Sequence, residues 1–249
     1  MLRIFSAASG HEVAALDAPA FDALVENGAP TVGSLKRHLA EKHFKRKYSR
    51  FQIRILREGD PIELQDDDSL TVPSDLQLML LSHLAPDEDR DQRFWRCCRE
   101  GRLDEVQQSL KGLQNPNVKN MTCRDRSAVC IAAFCHGYAD VVSLLLEAHA
   151  DPGSVDVDGA TALHFGTLGN STRVVRCLLD WGVETDPADS EGKSPLHFAA
   201  ECGKVDVMRL LLDAGANTDL ADAYGETPAG KAERSGELKA LALLRKEAR

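Results

Sequence analysis

Two stretches of this 249-residue chain repeat one pattern: DGATALHFGTLGN at 158–170 and EGKSPLHFAAECGK at 191–204. Gly192 follows Gly159 at the same interval at which His197 follows His164. Self-similarity at a fixed period of about 20–50 residues is typical of a solenoid, in which short structural units stack on one another. The repeated pattern therefore predicts the fold of the part of the chain that it covers.

The register extends beyond the quoted pair. Gly225 follows Gly192 at this same repeat interval, and Thr227 follows Ser194 at it as well. Three apolar segments also fall in one phase: SLLLEAHAD at 143–151, RCLLDWGVE at 176–184 and RLLLDAGAN at 209–217. A register that holds over three consecutive units is a specific signal, whereas one copy of the pattern would be a weak one.

Each unit has the pattern of two short helices. Ser194 is a favourable N-cap, and Pro195 suits the first helical position because its missing N–H costs nothing there. The small Ala199 and Ala200 allow neighbouring helices to come close. Gly215 suits the left-handed residue that ends a helix. Because no unit can bury its apolar face alone, the units must stack.

The segment EGKSPLHFAAECGKVDVMRLLLDAGAN (191–217) resembles the ankyrin repeat, whose motif runs D-x-x-G-x-T-P-L-H-x-A-A-x-x-G-H-x-x-V-V-x-L-L-L-x-x-G-A-D. The resemblance covers 92–249 and implies an all-α solenoid. Its central repeats are 124–156, 157–189 and 190–222, between an N-terminal cap at 92–123 and a C-terminal cap at 223–249. It assigns a structural role to the repeated motif residues: Gly159, Thr161, His164, Gly192, Ser194, His197, Gly225 and Thr227.

The first central repeat departs from the motif. Arg126 stands where the repeat interval places the glycine, and Ile131 stands where it places the histidine. We therefore expect the turn of this repeat to be distorted.

Ankyrin arrays generally bind proteins through hairpin tips and the concave face of the inner helices. Carried over by register, the tips are Arg124, Arg126, Val157, Asp158, Ser190, Glu191, Ala223 and Tyr224. The inner-helix positions are Ala132, Cys135, His136, Phe165, Leu168, Phe198 and Glu201. Phe165, Phe198 and Tyr224 are the expected anchors, because aromatic residues dominate interface hot spots. Alternatively, Phe165 and Phe198 only pack between repeats.

Residues 1–83 lack the repeat. Two alternating segments are followed by an amphipathic helix at 31–43, with Thr31 as N-cap and Val32, Leu35 and Leu39 facing inward, and then by two further strand patterns. This β-β-α-β-β order resembles ubiquitin. The implied fold class is an α+β N-terminal β-grasp (ubiquitin-like) domain followed by the all-α ankyrin-repeat solenoid, joined by a charged linker at 84–91.

Two apolar residues of the N-terminal region are candidates for a docking surface. Strand alternation turns Leu56 and Met79 away from the core. They fall where ubiquitin carries its receptor-binding apolar patch. Alternatively, they are ordinary single exposed apolar residues, or the repeats cover them.

The stretch 36–57 carries nine basic residues and one acid, Glu41. A solvated surface is the usual explanation for such a run. An acidic partner, an anionic membrane or RNA is the alternative. The whole chain has a formal charge of −9, which argues against general nucleic-acid binding.

The sequence shows no pattern of a catalytic, cofactor or metal site. The ankyrin resemblance places His164 and His197 in turns between repeats, and EGKS at 191–194 lacks the upstream glycine of a phosphate-binding loop. Seven cysteines without a C-x-x-C pair predict free thiols and a cytoplasmic or nuclear protein.

The leading hypothesis is a monomeric, non-enzymatic adaptor. The repeats would bind one client protein, and the ubiquitin-like domain would dock on a second protein. No small-molecule substrate is expected. One alternative is a regulatory or targeting subunit of an enzyme complex. Another is binding of nucleic acid or an anionic membrane by the 36–57 stretch.

Overall fold

The computed structural model describes residues 2–6, 12–16, 32–39, 53–57, 75–80, 87–134 and 138–247. Contacts between residues divide the chain into two units. The first contains the described elements before residue 81, and the second contains most of the residues from 87 onward.

The described residues of the first unit form a four-stranded mixed sheet and one helix. Its elements are β1 (Leu2–Ser6), β2 (Glu12–Leu16), α1 (Val32–His38), β3 (Ile53–Arg57) and β4 (Asp75–Leu80). The strand order is β2-β1-β4-β3, in which β1 is antiparallel to β2 and parallel to β4, and β3 is antiparallel to β4. Ile4 lies opposite Leu76 in the parallel pair.

Helix α1 buries the face that its apolar spacing predicts. Val32, Leu35 and Leu39 are fully buried. Lys36 is also buried, at 3% exposed, so it does not belong to an exposed basic surface, whereas Arg37 is exposed. The predicted cap Thr31 and most of the basic stretch lie outside the described residues.

The predicted apolar pair lies on the two strands β3 and β4. Arg54 is opposite Met79 and Leu56 is opposite Gln77, so Leu56 and Met79 have the same parity in the ladder. The structure describes the backbone of these two residues but not their side chains. Their role in docking therefore stays a prediction.

The second unit is a series of helix pairs. Its elements are α2 (Glu88–Glu100), α3 (Leu103–Lys111), β5 (Lys119–Asn120), β6 (Arg126–Ser127), α4 (Ala128–Phe134), α5 (Ala139–Glu147), α6 (Ala162–Leu168), α7 (Thr172–Asp180), α8 (Pro195–Glu201), α9 (Val205–Asp213), α10 (Pro228–Arg234) and α11 (Leu238–Glu247). None of the helices in the described residues has the length and apolarity needed to cross a membrane.

The first of these helices begins inside the segment predicted as linker. Asp87 caps α2 by accepting a hydrogen bond from the Arg90 N–H at 2.8 Å. Residues 88–91 are therefore helical, which corrects the predicted linker boundary. A carboxylate at the positive end of a helix is electrostatically favourable as well as a hydrogen-bond acceptor.

Helices stack in two layers, as the repeat pattern predicts. The inner layer runs α2, α4, α6, α8, α10, and α7, α9 and α11 are in contact in the outer layer. Ala199 and Ala200 are fully buried between inner helices, where a larger side chain would separate them. Val174, Val175 and Leu178 bury one stripe of α7, and their equivalents on α9 are Val207, Met208 and Leu211.

The register of the first central repeat differs from the predicted one. Helices α6, α8 and α10 begin at one constant interval, but α4 begins one position earlier than that interval places it. Cys130 therefore occupies the histidine position, and Ile131 does not. Asp125, with φ of 56°, occupies the glycine position, while Arg126 lies in β6. The expected distortion is present, but its residues are Arg124 and Asp125, both at positive φ.

Two side chains near helix ends are exposed although the sequence pattern favours their burial. Helical spacing places Leu238 on the apolar stripe of the last helix with Leu241 and Leu244, but Leu238 is 76% exposed because it is the first residue of α11 and lies at the end of the stack. A cysteine beside a repeat helix is usually a small buried residue, but Cys202 is exposed, because it follows the last residue of α8.

Candidate functional site

The two motif histidines join consecutive repeats. Nδ1 of His164 accepts a hydrogen bond from the Thr161 N–H at 3.1 Å. A backbone nitrogen can only donate, so the proton of the ring is on Nε2, which donates to the Lys193 carbonyl at 3.0 Å. His197 repeats the arrangement with the Ser194 N–H at 3.1 Å and the Glu226 carbonyl at 3.1 Å. Each histidine thus holds its own helix start and the next hairpin.

Burial lowers the pKa of both imidazoles, and the hydrogen bonds that they donate to Lys193 and Glu226 only partly offset this effect. Both rings are therefore neutral at pH 7, with both nitrogens engaged. The structural role implied by the resemblance agrees with this geometry. Among the described residues, no group of three or more His, Cys, Asp and Glu could hold a metal ion.

Cys130 replaces the histidine in the first central repeat. Its thiol donates to the Ser154 carbonyl at 3.6 Å and accepts from the Ser127 hydroxyl at 3.3 Å. Burial raises the pKa of Cys130 to about 11, so the thiol keeps its proton at neutral pH. The thiol is a weak donor, and it reaches a carbonyl that precedes the next hairpin, whereas the imidazoles of the later repeats reach a carbonyl at the end of the hairpin.

An aspartate shapes each later hairpin. The Oδ1 atom of Asp189 accepts from the backbone N–H groups of Glu191 and Lys193, both at 2.9 Å. Asp156 and Asp222 make the same pair of bonds in their own hairpins. The turn is therefore fixed by a side chain at its base, and its tip residues contribute only backbone to it.

Neighbouring hairpins are joined by their backbones. Ser190 N–H donates to the Asp158 carbonyl at 2.8 Å, and Ala223 N–H donates to the Glu191 carbonyl at 2.8 Å. Gly159 permits this approach, since a Cβ there would lie 2.9 Å from Ser190 N. The side chains at the tips make none of these bonds. They can vary without changing the fold.

Most predicted tip residues have accessible side chains. Tyr224 is 71% exposed and Val157 is 57% exposed, and Ser190, Glu191 and Ala223 are exposed as well. Arg124 is exposed too, and it forms an ion pair with Asp158 across the hairpins. The structure thus places these predicted residues along one row of hairpin tips.

The predicted inner-helix residues differ in how exposed their side chains are. Phe198, Leu168 and Glu201 are partly exposed, but Phe165 is 3% exposed and Ala132 is fully buried. Phe165 therefore packs between repeats and does not present an anchor, which corrects the prediction. Cys135 and His136 lie outside the described residues.

Arg126 covers the buried Phe165. Its guanidinium carbon lies 4.5 Å from the centre of the Phe165 ring, and its Nε lies 3.5 Å from Oδ2 of the buried Asp156. Arg126 therefore belongs to the inner surface rather than to a hairpin tip. The shifted register of the first repeat explains the difference, because it makes Arg126 equivalent to Ala160 and Lys193.

Phe134 is a surface residue that the repeat pattern did not predict. This side chain is 45% exposed on the inner layer and contacts Phe165 edge-to-face at 6.0 Å. The shifted register makes it the equivalent of Leu168 and Glu201. Phe134 therefore presents an aromatic ring at a position where the later repeats present other side chains.

One signal in the sequence could have revealed the shifted register. The constant repeat interval makes Ala128 the equivalent of the N-cap Thr161, yet alanine is a poor N-cap. Ser127, one position earlier, is a good one. The choice of cap residue thus indicates where α4 begins and which of its side chains face the inner surface.

Comparison with curated proteins finds no match to this chain. The family described as "Ankyrin repeats (3 copies)" matches residues 94–189 and 169–249. These matches together cover well over half of the chain and coincide with the stacked helix pairs and bridged hairpins. The chain therefore belongs to the ankyrin-repeat family.

Proposed function

We propose that the chain is a non-enzymatic adaptor whose ankyrin repeats hold one client protein. Ankyrin repeats in general are protein-interaction modules, and the client-binding surface in this proposal is the row of hairpin tips with the inner-layer side chains beside it. The exposure of Val157 and Tyr224 carries the proposal. Both lie on turns built by backbone bonds and aspartate side chains, so the hydrogen bonds of these turns do not depend on the two side chains.

The second half of the proposal concerns the N-terminal unit. Its strand order β2-β1-β4-β3, with a parallel pair at the centre and the helix between β2 and β3, supports the resemblance to the β-grasp fold. The equal ladder parity of Leu56 and Met79 supports one docking surface that contains both. In this proposal, the surface binds a second protein, as the corresponding region of ubiquitin does.

Two properties of the described residues support the place of action and the absence of catalysis in this proposal. The described cysteines are free thiols, which suits the reducing cytoplasm or nucleus. The described histidines of the repeat motif are committed to hairpin bonds, so they are not available as bases or ligands. The chain is proposed to act as a monomer.

The test of client binding is affinity capture with the full chain and two matched variants. Tyr224→Glu places a charge on a hairpin tip, and Leu238→Glu places one on an equally exposed apolar residue of α11. We expect Tyr224→Glu to lower client recovery at least tenfold and Leu238→Glu to leave it unchanged, with equal thermal midpoints for all three proteins. Equal recovery with the two variants would contradict binding by the hairpin tips.

The test of the adaptor role adds Leu56→Asp in the full chain. We expect Leu56→Asp and Tyr224→Glu to remove different proteins from the captured set. The alternative of an enzyme subunit predicts that Tyr224→Glu removes an enzyme and that Leu56→Asp removes nothing. The alternative of nucleic-acid or membrane binding by the 36–57 stretch predicts recovery that depends on salt and not on either variant.

A further inference from the structure

A concave pocket of about 860 Å³ lies at the N-terminal end of the repeats, between α2, the segment 119–127 and α4. Its volume is within the range of about 300–1,000 Å³ that ligand pockets usually have. Arg93, Arg96, Arg99 and Arg126 line it, together with Phe134. This pocket was not part of the predicted binding face, apart from Arg126.

The pocket carries a charge opposite to that of the chain. Four guanidinium groups stand against one carboxylate of the lining, Asp89, which leaves a formal charge of +3, whereas the whole chain carries −9. Arg93, Arg96 and Arg99 are exposed and follow one another at every third position on α2. None of the ion pairs between described residues involves these three arginines.

An aromatic side chain lies beside this group of arginines. Phe134 is 45% exposed, and the Arg126 guanidinium lies 5.9 Å from the centre of its ring. Phe134 is held edge-to-face by the buried Phe165, so its position is set by packing. The pocket therefore offers guanidinium groups for carboxylates and a fixed ring for an apolar side chain, side by side.

The inner surface changes character towards the C-terminus. Phe134 and Leu168 occupy equivalent positions on successive inner helices. At this position the next two inner helices carry Glu201 and Arg234, which form an ion pair at 3.7 Å. Among the described residues of this surface, the arginines outside ion pairs lie on α2, at the N-terminal end of the stack. A phosphate backbone needs a longer basic track than this, whereas a short peptide does not.

We propose that this pocket binds an extended acidic segment of the client protein, in which carboxylate side chains flank an aromatic or aliphatic side chain. The carboxylates pair with Arg96 and Arg99, for which the fork geometry of guanidinium is suited, and the apolar side chain packs on Phe134. This inference rests on the proposed function, because it names the class of client segment that the repeats hold.

The test measures binding of a fluorescein-labelled peptide, Glu-Glu-Glu-Phe-Glu-Glu, to the full chain by fluorescence anisotropy. Two control peptides replace the glutamates by glutamine or the phenylalanine by alanine. The variant is Arg96→Glu with Arg99→Glu. Its control is Arg173→Glu with Arg209→Glu, which makes the same change of net charge at exposed positions on the outer helices α7 and α9. All four substituted arginines lie outside the core, so we expect the thermal midpoints to stay equal.

We expect the labelled peptide to bind and its Kd to rise at least tenfold for Arg96→Glu with Arg99→Glu, with less than a twofold change for the outer-helix control. The glutamine and alanine peptides are each expected to bind at least fivefold more weakly than the parent peptide. Raising NaCl from 50 to 200 mM is expected to weaken binding, because the groups are exposed to solvent.

Three results would overturn the inference: no binding of the acidic peptide, equal weakening by the two double variants, or tighter binding of a six-nucleotide single-stranded DNA than of the peptide. These results leave the proposed function separately testable. If the client captured by the repeats depends on Tyr224 but not on Arg96 and Arg99, the repeats bind a client and the acidic-segment inference is wrong. If the client depends on neither site, both are wrong.

Discussion

Lys231 Nζ lies 2.6 Å from Oδ2 of Asp222, and both side chains are buried. The same amine lies 2.6 Å from Oε2 of Glu226, which Arg234 also contacts at 2.7 Å. Lys231 occupies the position that Phe165 and Phe198 occupy in the preceding repeats. The last inner helix therefore carries a charged group, paired with two carboxylates of its hairpin, where the two preceding inner helices carry an aromatic ring.

We expect Lys231→Met to destabilise the repeats by about 3–5 kcal/mol, because removing one partner leaves Asp222 buried without its counter-charge. Urea unfolding followed by circular dichroism measures the effect. The control is Arg245→Met, which breaks the exposed Arg245–Glu233 pair at 3.9 Å and should cost less than about 1 kcal/mol. Equal losses from the two variants would show that the Lys231 cluster contributes no more than a surface ion pair.

The same cluster predicts sensitivity to acid. Burial would raise the pKa of Asp222, but hydrogen bonds from Lys231 and from the Glu226 and Tyr224 N–H groups outweigh it and lower the pKa to about 2. A carboxyl whose folded pKa lies below its unfolded value stabilises the fold above the unfolded value of 3.8, and this contribution is lost as the pH falls through the folded value.

We therefore expect the urea midpoint to fall as the pH drops from 4 to 2, and we expect the fall to be smaller in Asp222→Asn. Asparagine keeps an oxygen for the two backbone N–H groups and removes the titration. The measurement is the urea midpoint of both proteins at several pH values in this window. Parallel curves would mean that other carboxylates cause the acid sensitivity.

The unusual turn of the first central repeat gives a second stability prediction. Asp125 has φ of 56°, where glycine carries no Cβ penalty, so Asp125→Gly should change stability by less than about 1 kcal/mol in either direction. Arg126→Gly should destabilise by about 1–3 kcal/mol, because it leaves the buried Asp156 without its partner and uncovers Phe165. If the glycine position were Arg126, as the constant repeat interval places it, Asp125→Gly would destabilise more than Arg126→Gly. The variant with the lower thermal midpoint therefore shows which register is right.

Two glycines of similar backbone conformation allow two costs of a glycine-to-alanine change to be measured separately: backbone strain, and the clash of a Cβ with a neighbouring hairpin. Gly159 has φ of 77°, and a Cβ there would meet Ser190 N at 2.9 Å, whereas Gly182 has φ of 84° and nothing within 4 Å of an added Cβ. Gly182→Ala should cost about 1–2 kcal/mol from the left-handed backbone alone. Gly159→Ala should cost at least about 1 kcal/mol more, because the hairpins must separate. Equal thermal midpoints would mean that the hairpins can part without loss.

The fold of the repeats was largely predictable from the residues. The spacing of Thr161, His164, Ser194 and His197 predicted helix starts that α6 and α8 confirm, and the apolar phase predicted the buried stripes of α7 and α9. The candidate site was less predictable. Phe165 is buried because Arg126 and Phe134 of the preceding repeat lie against it. Phe134 was not predicted because one residue in the spacing turns a helix by about 100° and changes which side chain faces the surface.

By itself, the sequence determined the repeat, its helix caps and its buried stripes, because these depend on local propensities and on residues a fixed distance apart. Only the tertiary structure decided that the Cys130 thiol reaches the Ser154 carbonyl, that Lys231 is buried among carboxylates, and that the arginines of α2 meet Phe134 in one pocket. These relationships join side chains from different repeats. Their distances depend on how the helices stack, and stacking is set by the packing of whole layers rather than by any one segment.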